Sequence, residues 1–314
     1  MGGTKILSAA LNTEDGIIAR VKQPSKRGAS QVDYIDILKD IIYKTIDAAN
    51  LAEVDISAVS LGVPGSVNPF TGVIGLAPNL EIKNFKIKEK LEAVLPFPVL
   101  IENDVNLGAL GIKYFGAGKK AKDMLVVFVG TGIGAGLIFD GKLFRGANYC
   151  AGEIGHMKVK QDGPLCGCGQ RGCFEAIASR PAIVKNIKKD LRAGKKSIIS
   201  KIIQPGQPIK SKALAYAVKH NDKVVTSHIN NACITIGRVL ASVTNMLNLD
   251  LIILGGGVIE ALDSYMLPLI KEAFNKEVLK DSAKGLKIKA TKLKDDAALF
   301  GGIPLVEEFL NIKL

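Results

Sequence analysis

No stretch of this 314-residue chain approaches the ~20 uninterrupted apolar residues that a membrane span needs. The N-terminus also lacks the basic, then apolar, then small order of a secretory leader. Neither a membrane partner nor export is expected, and the cytoplasm is the expected location. Aromatic residues make up only 5% of the chain and no basic helix stands out as a reader of nucleic acid. The formal charge of +12 therefore reads as lysines on a solvated surface, enriched only between Lys185 and Lys223, with no nucleic-acid partner. Cysteine is scarce as well. Five residues, an odd number with three gathered at Cys166, Cys168 and Cys173, do not make a secreted disulfide framework and point to a reducing compartment and a metal.

What is present is enough apolar material, 47% of residues against 23% charged, to fill one large or two ordinary domains. Residues 5–11 and 16–21 read as two short strands around a polar turn, and Val32, Ile35, Leu38, Ile41, Ile42 and Ile46 form a helical stripe. Residues 59–63 and 98–101 read as buried strands, the second ending in Glu102-Asn103-Asp104, where open α/β sheets place ligands. A second cycle opens with the apolar run 124–129, which enters a glycine-rich turn and then a hairpin at Asp140-Gly141. A long helix over 227–247 feeds a strand at 251–254, and a last helix covers 297–310. The outline is α/β in two halves that meet near residues 106–122.

Three glycine-rich turns flank these strands: Gly2-Gly3-Thr4-Lys5, the run from Gly130 and Thr131 through Gly132 to Gly134 and Gly136, and Gly255-Gly256-Gly257. Glycine lets backbone N–H groups approach phosphate oxygens closely, and Thr4 and Thr131 add hydroxyl donors. One such turn is ordinarily just a tight turn, but three at strand ends favour a phosphate cradle. Gly136, Gly141 and Lys142 have the spacing of a P-loop, yet Leu143 replaces the magnesium-binding hydroxyl and the context is a hairpin.

Asp104 is the candidate general base, because phosphoryl transfer to an alcohol needs a carboxylate to take the hydroxyl proton; Asn103 is placed to orient the same hydroxyls. The position equally suits an Asx turn or a helix N-cap. His156, Cys166, Cys168 and Cys173 together offer one imidazole and three thiolates, a closed tetrahedral set for structural zinc. A metal-free cluster or a disulfide are the alternatives. Glu153 and Glu175 bracket that loop and are candidates to hold vicinal sugar hydroxyls, against a reading as solvated acids without a role. Cys150 and Cys233 are expected to be ordinary buried residues.

Taken in order, these motifs resemble the ROK family of repressors and sugar kinases. The resemblance runs through Gly2-Gly3-Thr4-Lys5, Gly62-Val63-Pro64-Gly65, Ala77-Pro78-Asn79-Leu80, Glu102-Asn103-Asp104 and Gly130-Thr131-Gly132-Ile133-Gly134. It continues through Arg145-Gly146-Ala147-Asn148, Ala151-Gly152-Glu153-Ile154-Gly155-His156, Cys166-Gly167-Cys168-Gly169, Gly172-Cys173-Phe174-Glu175 and Asp295-Asp296-Ala297. It implies two actin-like ATPase (ribonuclease H-like) α/β domains with an interdomain cleft. Residues 1–106, completed by the C-terminal helix 297–314, would form one; residues 107–296, carrying the zinc loop 156–175 and a dimerisation surface, the other.

The implied activity is ATP-dependent phosphorylation of a hexose, with glucose favoured because Pro64-Gly65 and Ala77-Pro78-Asn79-Leu80 look most like the glucokinase branch. N-acetylmannosamine, N-acetylglucosamine, fructose and allose stay open. Asp104 matches the catalytic base. Gly65 with its neighbour Ser66, Asn79, Asn103, Asp104, Glu153, His156 and Glu175 match sugar contacts. Gly3, Thr4, Lys5, Gly130, Thr131, Gly132 and Gly134 match the phosphate loops, and Gly255, Gly256 and Gly257 the adenosine side. ATP, Mg²⁺ and structural Zn²⁺ are the implied cofactors and a homodimer the implied assembly. A sugar-responsive regulator and a silent sugar-binding protein are the alternatives. Family members reach Gly-Gly-Thr-Lys through a strand ending in Asp and one further residue. Met1 stands at that residue here, so a start several residues upstream is expected.

Overall fold

The computed structural model describes residues 1–2, 5–26, 28–204 and 206–314. Packing divides the chain into two compact units, Met1–Lys120 with Lys142–Ala151 and Asp295–Leu314, and Ala121–Gly141 with Gly152–Lys294. Among the described residues no helix is long and apolar enough to cross a membrane.

The first unit opens with the antiparallel strands β1 (Lys5–Asn12) and β2 (Gly16–Pro24), joined by a turn in which the Asp15 N–H donates to Asn12 Oδ1 at 2.6 Å. Helix α1 (Gln31–Ala48) starts in a capping box: Ser30 Oγ accepts from the Asp33 N–H and Asp33 Oδ2 accepts from the Ser30 N–H, both at 3.1 Å. Its apolar stripe buries Ile35, Leu38, Ile41 and Ile46. Val32, in the first turn, is 68% exposed, and Tyr34 enters the core with its hydroxyl donating to Leu80 O.

Next come β3 (Val59–Val63), β4 (Ser66–Asn68), β5 (Val73–Ala77), β6 (Ile82–Phe85), α2 (Ile87–Glu92), β7 (Val99–Asn103) and α3 (Asp104–Phe115). Strands β3 and β7 pair in parallel, Val59 opposite Val99 through Val63 opposite Asn103, and β4-β5-β6 form an antiparallel sheet.

Strands β8 (Met124–Val129), β9 (Ile133–Phe139) and β10 (Lys142–Phe144) follow. The β9–β10 turn has Asp140 and Gly141 both at positive φ, 47° and 77°, the signature of a hairpin turn and the reason the P-loop spacing there has no phosphate-binding meaning. The chain goes on through α4 (Glu175–Ala178), α5 (Arg180–Arg192), α6 (Ile199–Ile202), α7 (Ser211–Lys219), α8 (Lys223–Leu247), β11 (Leu251–Gly255), α9 (Gly257–Glu277) and β12 (Lys287–Ala290). The sheet order is β10-β9-β8-β11-β12, with β8, β11 and β12 parallel and β9 antiparallel. Residues 124–127 and 251–255 are buried without alternation, as expected of strands covered on both faces. Helices α10 (Asp296–Phe300) and α11 (Gly302–Leu310) end the chain in the first unit.

Three expectations change. A boundary at residue 107 would cut α3, which packs as one piece against α10 and α11: Leu107 and Leu110 share an apolar cluster with Leu305 and Val306. The first unit also takes back Lys142–Ala151. The single last helix is two, broken at Gly301, where a Cβ would lie 1.9 Å from Leu107 O. Cys150 is exposed, whereas Cys233 is buried, its thiol pushed up to about 12 by the loss of water around it.

Gly111 makes the matching contact from α3, since its added Cβ would stand 1.8 Å from Ala297 O. Backbone cannot retreat the way a flexible side chain can. Gly111→Ala is expected to destabilise the protein by about 1–3 kcal/mol in urea titrations, whereas Gly130→Ala, which meets nothing within 4 Å, should leave stability unchanged. Equal stability of the two variants would contradict the close approach of α3 and α10.

Candidate active site

In the first unit the candidate residues collect where the parallel strands β3 and β7 end. Strand β3 runs into Pro64-Gly65, and Gly65 sits at φ 93° with a notional Cβ only 2.1 Å from Leu76 O, so glycine is required there by both conformation and space. Asn103 ends β7 and caps α3: its Oδ1 accepts from the N–H groups of Val105 at 2.9 Å and Asn106 at 3.2 Å. Its Nδ2 donates to Gly65 O at 3.0 Å. Both ends of the Asn103 amide are thus engaged in building the junction. Ser66 is similarly occupied as an acceptor, its Oγ taking the Leu76 N–H at 2.9 Å, while its own hydroxyl proton stays available. Asn79 is exposed in the turn after β5, outside this bonded set.

Asp104 is the first residue of α3 and is only partly covered. Burial still pushes its carboxyl above the ordinary value, against the opposing influence of the Met1 amino group and of the Val105 and Asp104 N–H groups. A carboxylate with a raised pKa is a better proton acceptor once ionised. Lys5 is ion-paired with Asp295 and Arg20 with Asp296, so the late Asp-Asp pair is tied to the first hairpin. Gly3 and Thr4 lie outside the described residues.

In the second unit, the turn between β8 and β9 is closed by the Gly130 N–H donating to Gly132 O at 2.9 Å, and Gly130 O accepts from the Arg180 N–H at 3.0 Å. Thr131 at its tip is exposed. Glu175, first residue of α4, reaches this turn: its Oε2 accepts the Ile133 N–H at 2.9 Å and occupies the space a Cβ on Gly132 would need, 2.5 Å away. Its Oε1 lies 3.7 Å from Cys166 Sγ, so one carboxylate joins the glycine turn to the cysteine loop. Glu153 is half exposed and its Oε2 stands 3.7 Å from His156 Nε2. Gly255, Gly256 and Gly257 join β11 to α9, a helix whose N-terminus has no side-chain cap and so keeps N–H groups for an anion or polar ligand.

The ROK family profile matches residues 1–308. The chain belongs to the ROK family. The glucokinase of Halalkalibacterium halodurans is 32% identical to it over 312 residues, covering 99% of this chain and 94% of that protein. The xylose repressor of Caldicellulosiruptor bescii is 32% identical over 283 residues, covering 90% and 70%. A ROK family glucokinase from Streptomyces griseus, solved in complex with glucose and AMPPNP, matches with a TM-score of 0.85 and 28% identity over 98% of this chain and 97% of that one. The fold is therefore α/β of the actin-like ATPase type.

Members of the ROK family divide between kinases and repressors, so the cysteine loop of this chain is weighed on its own geometry. One ligand atom from each of His156, Cys166, Cys168 and Cys173 lies within 4.8 Å of all the others. His156 Nδ1 and Cys166 Sγ are 3.7 Å apart, as are Cys168 Sγ and Cys173 Sγ. Zn–S bonds of about 2.3 Å at a tetrahedral angle put sulfurs roughly 3.8 Å apart, so the two closest pairs already have the spacing of a zinc site, and the cysteines are free thiols. Burial pushes the Cys166 thiol up to about 12, a proton that a bound dication must displace. With Nδ1 facing the sulfurs, His156 keeps Nε2 on the Glu153 side.

Elemental analysis of purified protein is expected to find one zinc per chain. Cys168→Ser should lose the metal and weaken hexose binding by at least about tenfold, since Glu175 and the glycine turn lean on the loop. A metal-free wild type, or a Cys168→Ser variant with unchanged sugar affinity, would break the proposed link.

Proposed function

We propose that this chain is an ATP-dependent hexose kinase acting on glucose. The observation that carries the reading is Asp104, a carboxylate with a raised pKa at the capped N-terminus of α3, in a chain that aligns with a glucokinase over nearly the whole length of both. The sugar hydroxyl gives its proton to Asp104 as its oxygen attacks the γ-phosphorus of ATP in line; the bond to the bridging oxygen breaks, and ADP leaves with the electron pair. Mg²⁺, bound together with the nucleotide, would supply neutralisation of the phosphate charge. The glycine turn at 130–134 presents N–H groups to phosphate, and Gly255, Gly256 and Gly257 serve the adenosine side.

Glu153, His156 through Nε2, and Glu175 hold sugar hydroxyls in this proposal. Glu175 suits it, because ionising the Cys166 thiol for metal binding frees Oε1 to accept from a hydroxyl while Oε2 stays on the Ile133 N–H. The zinc is structural, shaping the loop without entering the chemistry. The homodimer belongs to the same proposal.

Likeness to the xylose repressor supports a second reading, a sugar-responsive regulator in which these residues bind sugar without transferring phosphate. Coupled ADP release across a hexose panel separates the two. Glucose is expected to give the highest kcat/KM, ahead of N-acetylmannosamine, N-acetylglucosamine, fructose and allose. Because Asp104 must be ionised to accept the proton and its pKa is raised, kcat/KM should fall as pH drops, starting above the ordinary carboxylate range. Sugar binding without ADP release would favour the regulator, and a higher kcat/KM for another hexose would overturn glucose.

A further inference from the structure

Glu102 directly precedes Asn103 and Asp104, and its side chain is only 2% exposed. Every part of that carboxylate is engaged. Oε1 accepts from the Asn103 N–H at 2.9 Å and from Asn106 Nδ2 at 3.0 Å, and Oε2 accepts from Arg145 Nε at 2.7 Å. Arg145 is itself 10% exposed; its two terminal nitrogens grip Glu308 of α11 at 2.7 and 2.9 Å, and its guanidinium lies 5.4 Å from the centre of the Phe309 ring. All of these residues belong to the first unit, Arg145 as part of the returning segment Lys142–Ala151.

Without a cation at Oε2, Glu102 would be a buried unpaired charge, costly enough to force protonation or movement. Either outcome acts on the two donors at Oε1. The Asn103 N–H fixes the end of β7 whose side chain caps α3, and Asn106 stands within the first turn of that helix, so Asp104 lies between two residues held by the same carboxylate. Arg145 touches neither Asp104 nor the capped N–H groups. Its effect passes through Glu102.

We propose that Arg145 is the positioning residue of the catalytic junction: pairing with Glu102 and anchored by Glu308, it holds Asn103 in its capping geometry and Asp104 at a fixed place on α3. This rests on the reading of Asp104 as the base of a hexose kinase. A misplacement of about 1 Å in such a group costs on the order of a hundredfold in rate.

The test compares wild type, Arg145→Met and Arg145→Met/Glu102→Gln in steady-state kinetics with glucose and ATP, beside hydrogen exchange at the Val105 and Asn106 amides. Arg145→Met is expected to lower kcat by about ten- to a hundredfold with both KM values within about threefold, and to speed exchange at the two amides. Glutamine at 102 removes the orphaned charge and keeps an acceptor for Asn103 and Asn106, so the double variant should recover much of the lost kcat and slow the exchange again. Loss confined to KM, kcat near wild type in Arg145→Met, or a double variant worse than the single would overturn the proposal. If wild type transfers no phosphate to any hexose, the kinase reading fails by itself; unchanged amide exchange in Arg145→Met would then overturn the clamp separately.

Discussion

A carboxylate carried out of water at the end of a buried strand must be neutralised and fully hydrogen-bonded, and Glu102 imposes that demand on the first unit. Strand β7 is buried from Val99 to Glu102, so Glu102 cannot turn to solvent. Arg145 answers the charge at Oε2, and the Asn103 N–H and Asn106 Nδ2 both donate to Oε1. Both oxygens are thus bonded at 2.7–3.0 Å, the close geometry that makes a buried ion pair tolerable. Its result is a strand-to-helix turn with little freedom: Asn103 caps α3, the same amide holds the Gly65 carbonyl, and Asp104 starts the helix. The C-terminal helices serve the same junction, because Gly111 and Gly301 let α3 and α10 approach at backbone distance and α11 brings Glu308 to Arg145.

The second unit applies one carboxylate in a comparable way. Glu175 links the glycine turn to the cysteine loop through Ile133 and Cys166. In the proposed function, a metal in that loop would bear on the turn offered to phosphate as well as on the proposed sugar contacts. Two proposed functions of the loop thus share one mechanical support.

Much of the fold was legible because its signals are local. Unbroken apolar runs marked β8 and β11, helical spacing marked α1 and α8, and the His156 and cysteine spacing marked a cluster whose ligand atoms do converge. Helix α3 was not legible: it is buried nearly all round and so lacks an amphipathic stripe, and Gly108 and Gly111 weigh against a helix there; only the close approach of α10 makes Gly111 useful. Cys150 was expected inside on composition alone and lies outside. Nor does its position in sequence show that the Asn103 amide caps α3 and holds the Gly65 carbonyl. The role of Arg145 has no local signal, because its partners stand 43 and 163 residues away in the chain and a pair of that separation leaves no periodic trace.

The most direct test of the account is Asp104→Asn, assayed for phosphoryl transfer to glucose and, on the same preparation, for glucose binding by calorimetry and for thermal stability. The folded-state pKa of Asp104 is raised, so protonation stabilises the fold and that gain is lost as pH rises through the folded pKa; asparagine imitates the protonated form and should not lower Tm at neutral pH. The account predicts a kcat reduced by at least about a hundredfold, with sugar affinity and Tm retained. Turnover near that of wild type would remove Asp104 from the mechanism.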